Sequence, residues 1–227
     1  MTEVTAAARP AGRRKPGATN LDKYVSRIRS LVDDRDLLSH KRSSLADTAV
    51  RLFRERGFHN TSTRDVAKAT GMSAGALYQY IEQKEDLLVL ILQKIIRTYE
   101  AKLFPLTDGT EPARHRFQDA IHIYYRLLDE NSEKIDLFFH EYANLSPETK
   151  RYIAENDARV FQAIHTIVEQ RVAEEGLPAV DTRFLTHNIM SMGQMWSLKR
   201  GLFRDVLGLD QYIAQQLAYL EKVLRAS

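Results

Sequence analysis

STRDVAKATGMSAGALYQYIEQKE, Ser62 to Glu85, reads as two short helices joined by a tight turn. Ser62 is an N-cap residue with Asp65 three positions on, where a carboxylate can return to the cap's own N–H. Val66 and Ala67 give the first helix an apolar face. Gly71, inside Thr70-Gly71-Met72-Ser73, supplies the positive φ that a sharp reversal needs, and Ser73 can cap the second helix. That second helix is expected from Ala74 to Ile81, burying Leu77 and Ile81 and leaving Ala74, Gly75, Ala76, Tyr78, Gln79 and Tyr80 exposed or at its edge. Small residues let a helix approach another surface closely, and phenols and amides can bond phosphates or base edges. This is the pattern of a helix-turn-helix whose second helix enters a major groove.

The flanks extend the pattern. Leu45-Ala46-Asp47-Thr48-Ala49-Val50-Arg51-Leu52-Phe53 and Arg56-Gly57-Phe58 lie upstream, and Leu77-Tyr78-Gln79-Tyr80-Ile81-Glu82-Gln83-Lys84-Glu85-Asp86-Leu87-Leu88 downstream. The span Leu45 to Leu88 resembles the DNA-binding domain of the TetR family of transcriptional regulators. Ile81 stands where that family usually has an aromatic. Gln83 stands where it has a small cap, so slight fraying of the next helix is expected. The resemblance implies a homodimeric repressor on a palindromic double-stranded operator, released by a small-molecule effector. Ser62, Arg64, Tyr78, Tyr80 and Lys84 are expected to grip phosphates and Gly75, Ala76 and Gln79 to approach base edges, with Thr63, Ser73 and Ala74 completing the surface. Arg42, just ahead of the first helix's apolar face, is placed to touch the DNA backbone.

Composition is compatible with this reading. The chain has 227 residues, 44% hydrophobic and 28% charged, and no cysteine, which excludes disulfides, thiolate metal sites and a cysteine nucleophile. No run of 18 apolar residues exists and the N-terminus lacks a signal-peptide core, so the expected location is the cytoplasm. The net charge of +3 is uneven: residues 1–104 hold 19 Lys/Arg against 12 Asp/Glu, and residues 105–227 hold 14 against 18. A basic front and an acidic back suit a polyanion reader joined to a domain that stays off the polyanion.

The fold expected is all-α. Residues 1–19, with Arg9, Arg13, Arg14 and Lys15, form a disordered basic tail, either solvated or reaching phosphates as an arm. Residues 20–38 form an extra amphipathic helix with a stripe of Leu21, Tyr24, Val25, Ile28, Leu31 and Val32. The helix-turn-helix domain covers 39–88, its first helix starting at Ser39 or Ser43 and stopping at Gly57. A connecting helix runs from Lys84 to about Leu103, with the resemblance implying a phosphate contact for Lys84. Residues 89–227 form the ligand-binding and dimerisation domain, with helices over Glu111 to Leu128, Ser132 to Leu145, Pro147 to Glu175, Asp181 to Phe203 and Leu209 to Leu224. The resemblance puts the last two in a dimer's four-helix bundle.

Candidate pocket residues are the interior-capable polar and large side chains of that half: His122, Tyr125, Phe138, His140, Glu141, Tyr142 and Asn144, then Phe161, His165, Met190, Gln194, Met195 and Trp196. Phe139 to Pro147 and Met192 to Arg200 look like the part of the family tied to acyl-CoA and fatty-acid metabolism, in which Lys199 and Arg200 would meet a phosphate-bearing head group. A free hydrophobic molecule is the rival effector. No cofactor or metal is expected, and no enzyme: the seven histidines make no metal-spaced pair, and there is no phosphate-cradling loop or nucleophile elbow. The remaining alternative is a helical ligand-binding or scaffold protein that does not recognise DNA.

Overall fold

A computed structural model describes residues 35–178, 180–203 and 206–225. The basic tail and the apolar stripe from Leu21 to Val32 lie outside the described residues. Among these residues there are ten α-helices and no strand: α1 Arg35–Arg56, α2 Thr63–Ala69, α3 Ala74–Leu77, α4 Glu85–Lys102, α5 Ala113–Glu130, α6 Ser132–Glu141, α7 Pro147–Glu175, α8 Thr182–Leu198, α9 Arg200–Phe203 and α10 Leu209–Arg225. Short 3-10 turns, Phe104–Asp108 and Tyr142–Asn144, come after α4 and α6. None of these helices is long and apolar enough to cross a membrane.

Helix starts obey their caps. The Asp65 N–H bonds Ser62 Oγ at 3.2 Å while Asp65 Oδ2 accepts from the Ser62 N–H at 2.8 Å, closing a capping box on α2. Gly71 at φ +70° turns the chain, and Ser73 Oγ accepts from the Ala76 N–H at 3.1 Å to start α3. Ser146 and Pro147 start α7 in the same manner, and Asp181 caps α8.

Three expectations are corrected. α1 runs unbroken through Ser39 and Ser43, so neither starts a helix, and Leu38 ahead of them already packs on the core. α3 ends at Leu77, not Ile81. The chain continues in tighter i−3 bonds, Gln79 N–H to the Ala76 carbonyl at 3.2 Å and Tyr80 N–H to the Leu77 carbonyl at 2.9 Å, and the Tyr80 carbonyl accepts from Arg42 Nε. The start of α4, expected to fray at Gln83, is fastened from inside: Asp86 Oδ2 accepts from the backbone N–H groups of Glu82 at 2.7 Å and Gln83 at 3.0 Å.

One continuous core joins the two halves. In the head, Leu45, Ala49, Leu52, Phe53, Phe58, Val66, Leu77 and Ile81 are buried, with Phe53 and Phe58 edge to face at 5.0 Å. α4 packs along α1 and also against α5 and α7, so it belongs to both halves. In the body, α5 lies between α7, α8 and α10. A Cβ at Gly193 of α8 would lie 2.7 Å from Leu128 and 2.8 Å from Tyr125, both on α5.

Candidate functional site

The helix-turn-helix leaves a polar face uncovered. Ser62, Arg64, Ser73, Gly75, Tyr78 and Gln79 are exposed, and Thr63, Ala74 and Ala76 half-buried. The Tyr78 hydroxyl, 3.0 Å from Thr63 Oγ1, ties the turn after α3 to the start of α2. Tyr80 and Arg42 do not join this face. Tyr80 is only 8% exposed, turned into the head's core. Arg42 is buried with Nε donating to the Tyr80 carbonyl at 3.1 Å; burial lowers its pKa, opposed by the charge of Asp86. Its guanidinium braces the head from within, which corrects the expected backbone contact. Lys84, at the position before α4, bonds the Phe58 carbonyl at 2.9 Å and lies 4.2 Å over the Phe58 ring. That bond uses one of an ammonium's three donors.

The head is fastened to the body beside α4. Glu85 Oε1 accepts from the N–H of Ser146 at 3.0 Å and from its hydroxyl at 2.7 Å, joining the starts of α4 and α7. His59 Nε2 lies 3.1 Å from Glu141 Oε2 and 3.4 Å from Asn144 Nδ2, and Arg54 pairs with Glu133 at 2.8 Å.

Further along α4 a cavity of about 360 Å³ opens between five helices. Leu92, Ile95, Ile96 and Tyr99 of α4 form one wall, with Tyr124 and Leu128 of α5 beside them. Ile135, Phe138 and Phe139 of α6, then Tyr142, form a second wall. Ile153, Asp157 and Val160 of α7 and Met190, Gln194 and Leu198 of α8 complete it. Among these residues Asp157 alone carries a charge. Asp157 is exposed to solvent, and the protein atoms crowded around its carboxyl still push it up to about 6 by desolvation. Burial, and then the charge of Asp157, raises Tyr99. Burial dominates at Tyr124 too, with Tyr99 and Asp157 adding to it and a hydrogen bond from Gln194 opposing it. Both phenols are therefore neutral hydrogen-bonding groups at any ordinary pH.

Two family models match the chain. Residues 45–91 match the bacterial regulatory proteins of the tetR family, and residues 110–197 match the tetracyclin repressor-like C-terminal domain. The chain belongs to the TetR family. It is similar to the HTH-type transcriptional regulator HbdR of Aromatoleum sp. (strain CIB), 25% identical over 193 residues that cover 85% of this chain and 84% of that protein. A TetR/AcrR-family regulator from Thermobifida fusca shares the fold at a TM-score of 0.66 and 24% identity, over 80% of this chain and 96% of that one. The fold also matches AibR bound to isovaleryl coenzyme A and operator DNA, at a TM-score of 0.64 and 22% identity over 78% and 97% of the two chains. TetR-family proteins are DNA-binding transcriptional regulators, and this chain is one by its helix-turn-helix and its relatives.

In this TetR-family chain the cavity gathers four of the expected pocket residues, Phe138, Tyr142, Met190 and Gln194. The others serve elsewhere. Glu141 and Asn144 face His59 of the head, and His140 lies exposed beside Asp136 at 3.4 Å. Tyr125 is sealed in the core with its hydroxyl on the Ile189 carbonyl at 3.0 Å. Phe161 stacks on His165 at 5.6 Å and meets His187 at 4.5 Å, while His165 Nε2 lies 3.1 Å from Thr182 Oγ1. Trp196 Nε1 donates to Asp129 Oδ1 at 3.0 Å, and Arg200 Nε lies 3.1 Å from the same carboxylate oxygen. Half-buried His122 and exposed Met195 and Lys199 are not part of the lining either.

The α4 wall and Asp157 were missed by the sequence reading. Both left a trace. LLVLILQKII in α4 is apolar on more than one face, more than a helix with a single neighbour needs. Ile153, Asp157, Val160 and Ile164 fall on one stripe of α7, with an acid in an otherwise apolar row.

Proposed function

We propose that this TetR-family regulator is a homodimeric repressor that places α3 and the turn after it in the major groove of each half of a palindromic operator. Small-molecule occupancy of the cavity then withdraws the two heads from that spacing. The observation that carries the reading is the double role of α4. Leu92, Ile95, Ile96 and Tyr99 form a cavity wall, while Asp86 at its other end holds the backbone leading out of the reading turn. A ligand that shifts α4 moves the head with it, and it works as a switch only if it binds the displaced form more tightly. A near-complete reversal needs a preference of about 5.5 kcal/mol.

On the exposed face Arg64, Ser62 and Tyr78 are suited to phosphates and Gly75 and Gln79 to base edges, with Lys84 sharing its ammonium between the Phe58 carbonyl and a phosphate. Phe184, Met192 and Met195 fall on one side of α8 and are exposed, as is Tyr219 of α10, and these apolar side chains suit a second copy of the chain. Such a protein acts in the cytoplasm and catalyses no reaction. The cavity suits a small hydrophobic effector or the acyl chain of an acyl-CoA. The volume is that of a small ligand or an acyl chain, and neither Lys199 nor Arg200 lines it to meet phosphates.

Selection of genomic fragments with the purified protein, followed by light scattering of the complex, tests this. An enriched inverted repeat bound by a dimer is expected. No enriched repeat, or a monomer at micromolar concentration, overturns it.

A further inference from the structure

We propose that the cavity selects a cation with an apolar body, a quaternary ammonium or a protonated alkylamine, and that Asp157 is the residue that selects it. This rests on the reading of the cavity as the effector site.

Asp157 is the one charged side chain among the lining residues, and no hydrogen bond or ion pair from the described residues engages its carboxylate. No neighbouring cation of α7 lines the cavity, and Arg151 is exposed outside its walls. Arg159 pairs with Glu100 at 2.6 Å, and Lys150 bonds the Ala143 carbonyl at 2.9 Å. An anionic ligand would meet a carboxylate and no lining cation to offset it. A wholly apolar ligand would displace water from a charge that no protein group pairs and give it nothing in return, which is costly. A ligand cation pairs with the charge. It also meets aromatic walls, since Tyr99, Tyr124, Phe138 and Tyr142 all line the space and the face of a ring attracts positive charge. The leucine, isoleucine, valine and methionine side chains of the lining accommodate the apolar remainder. The raised pKa of Asp157 agrees with this: the carboxylate lacks a partner until one arrives.

The test uses calorimetry on the full chain with four probes that share a six-carbon tail: hexyltrimethylammonium, hexan-1-ol, hexanoate and hexanoyl-CoA. Hexyltrimethylammonium is expected to bind about tenfold or more tighter than the other three, since cation–carboxylate and cation–π terms together exceed about 1.4 kcal/mol. Asp157→Asn should remove that advantage and leave hexanol binding as it was, with the variant's thermal transition confirming that it is folded. If the alcohol, the carboxylate or the CoA ester binds tighter than the ammonium, or if Asp157→Asn leaves ammonium binding intact, the cation assignment is overturned while the cavity stands as an effector site. If no probe binds, the cavity is not that site, and both readings are overturned.

Discussion

Arg42 Nε donates to the Tyr80 carbonyl oxygen at 3.1 Å, bridging α1 to the turn after α3 across 38 residues of chain. The side chain that looked like a phosphate contact is the strut that sets the angle of the reading turn. Arg42→Ala leaves a buried carbonyl unpaired and should cost about 1–3 kcal/mol. Chemical denaturation should show that loss, and operator affinity should fall with it. A variant as stable as the parent with weakened phosphate binding would instead return Arg42 to the DNA surface.

Tyr78 and Gln79 are adjacent and exposed, and should fail in different ways. Tyr78→Phe loses the hydroxyl beside Thr63 and should weaken operator and random DNA by the same factor. Gln79→Ala should change which base is preferred in each half-site, by about 1–3 kcal/mol of discrimination. Titrations against an operator and a scrambled duplex separate the two. Equal losses on both duplexes for Gln79→Ala would make it a phosphate contact.

Asp157 makes stability and ligand binding depend on pH in opposite senses. Its carboxyl titrates at about 6 in the folded protein against 3.8 for an ordinary aspartate, so the folded form holds the extra proton between those values. Its contribution to stability therefore declines as pH rises through that window and is level above it. Melting curves of the parent and Asp157→Asn should converge as pH falls from 7 to about 5, with the variant more stable at pH 7. Binding of hexyltrimethylammonium should weaken below pH 6, where Tyr99, Tyr124 and Gln194 beside the carboxyl stay neutral. A pH-independent affinity would remove Asp157 from the binding event.

Gly193 is a packing contact between α8 and α5. Gly193→Ala puts a methyl 2.7 Å from Leu128 and 2.8 Å from Tyr125, both close-packed, and Leu128 also lines the cavity. Overpacking of this kind costs about 1–3 kcal/mol, so a lowered melting temperature is expected, together with altered affinity for any cavity ligand. An unchanged melting temperature would mean that α8 moves away freely.

Sequence alone determined the features whose causes lie within a few residues. The capping box of Ser62 and Asp65, the reversal at Gly71, the Ser73 cap and the start of α7 at Ser146 and Pro147 come from local hydrogen bonding and backbone sterics. The apolar periods of α5, α7, α8 and α10 come from helical geometry. These sufficed for an all-α reader of duplex DNA, and the family matches at residues 45–91 and 110–197 agree.

Tertiary structure alone decided what each long polar or aromatic side chain faces. Arg42 and Tyr80 are buried because α1 and the turn after α3 meet, and Glu141 and Asn144 serve the head because the Tyr142–Asn144 turn lies against His59. The cavity is the place where five helices fail to close on one another, so its walls, and the carboxylate of Asp157 among them, are fixed by packing between residues distant in the chain. A periodic pattern shows which side of a helix is turned inward. It does not show whether another side chain, the opposite domain or empty space is waiting there.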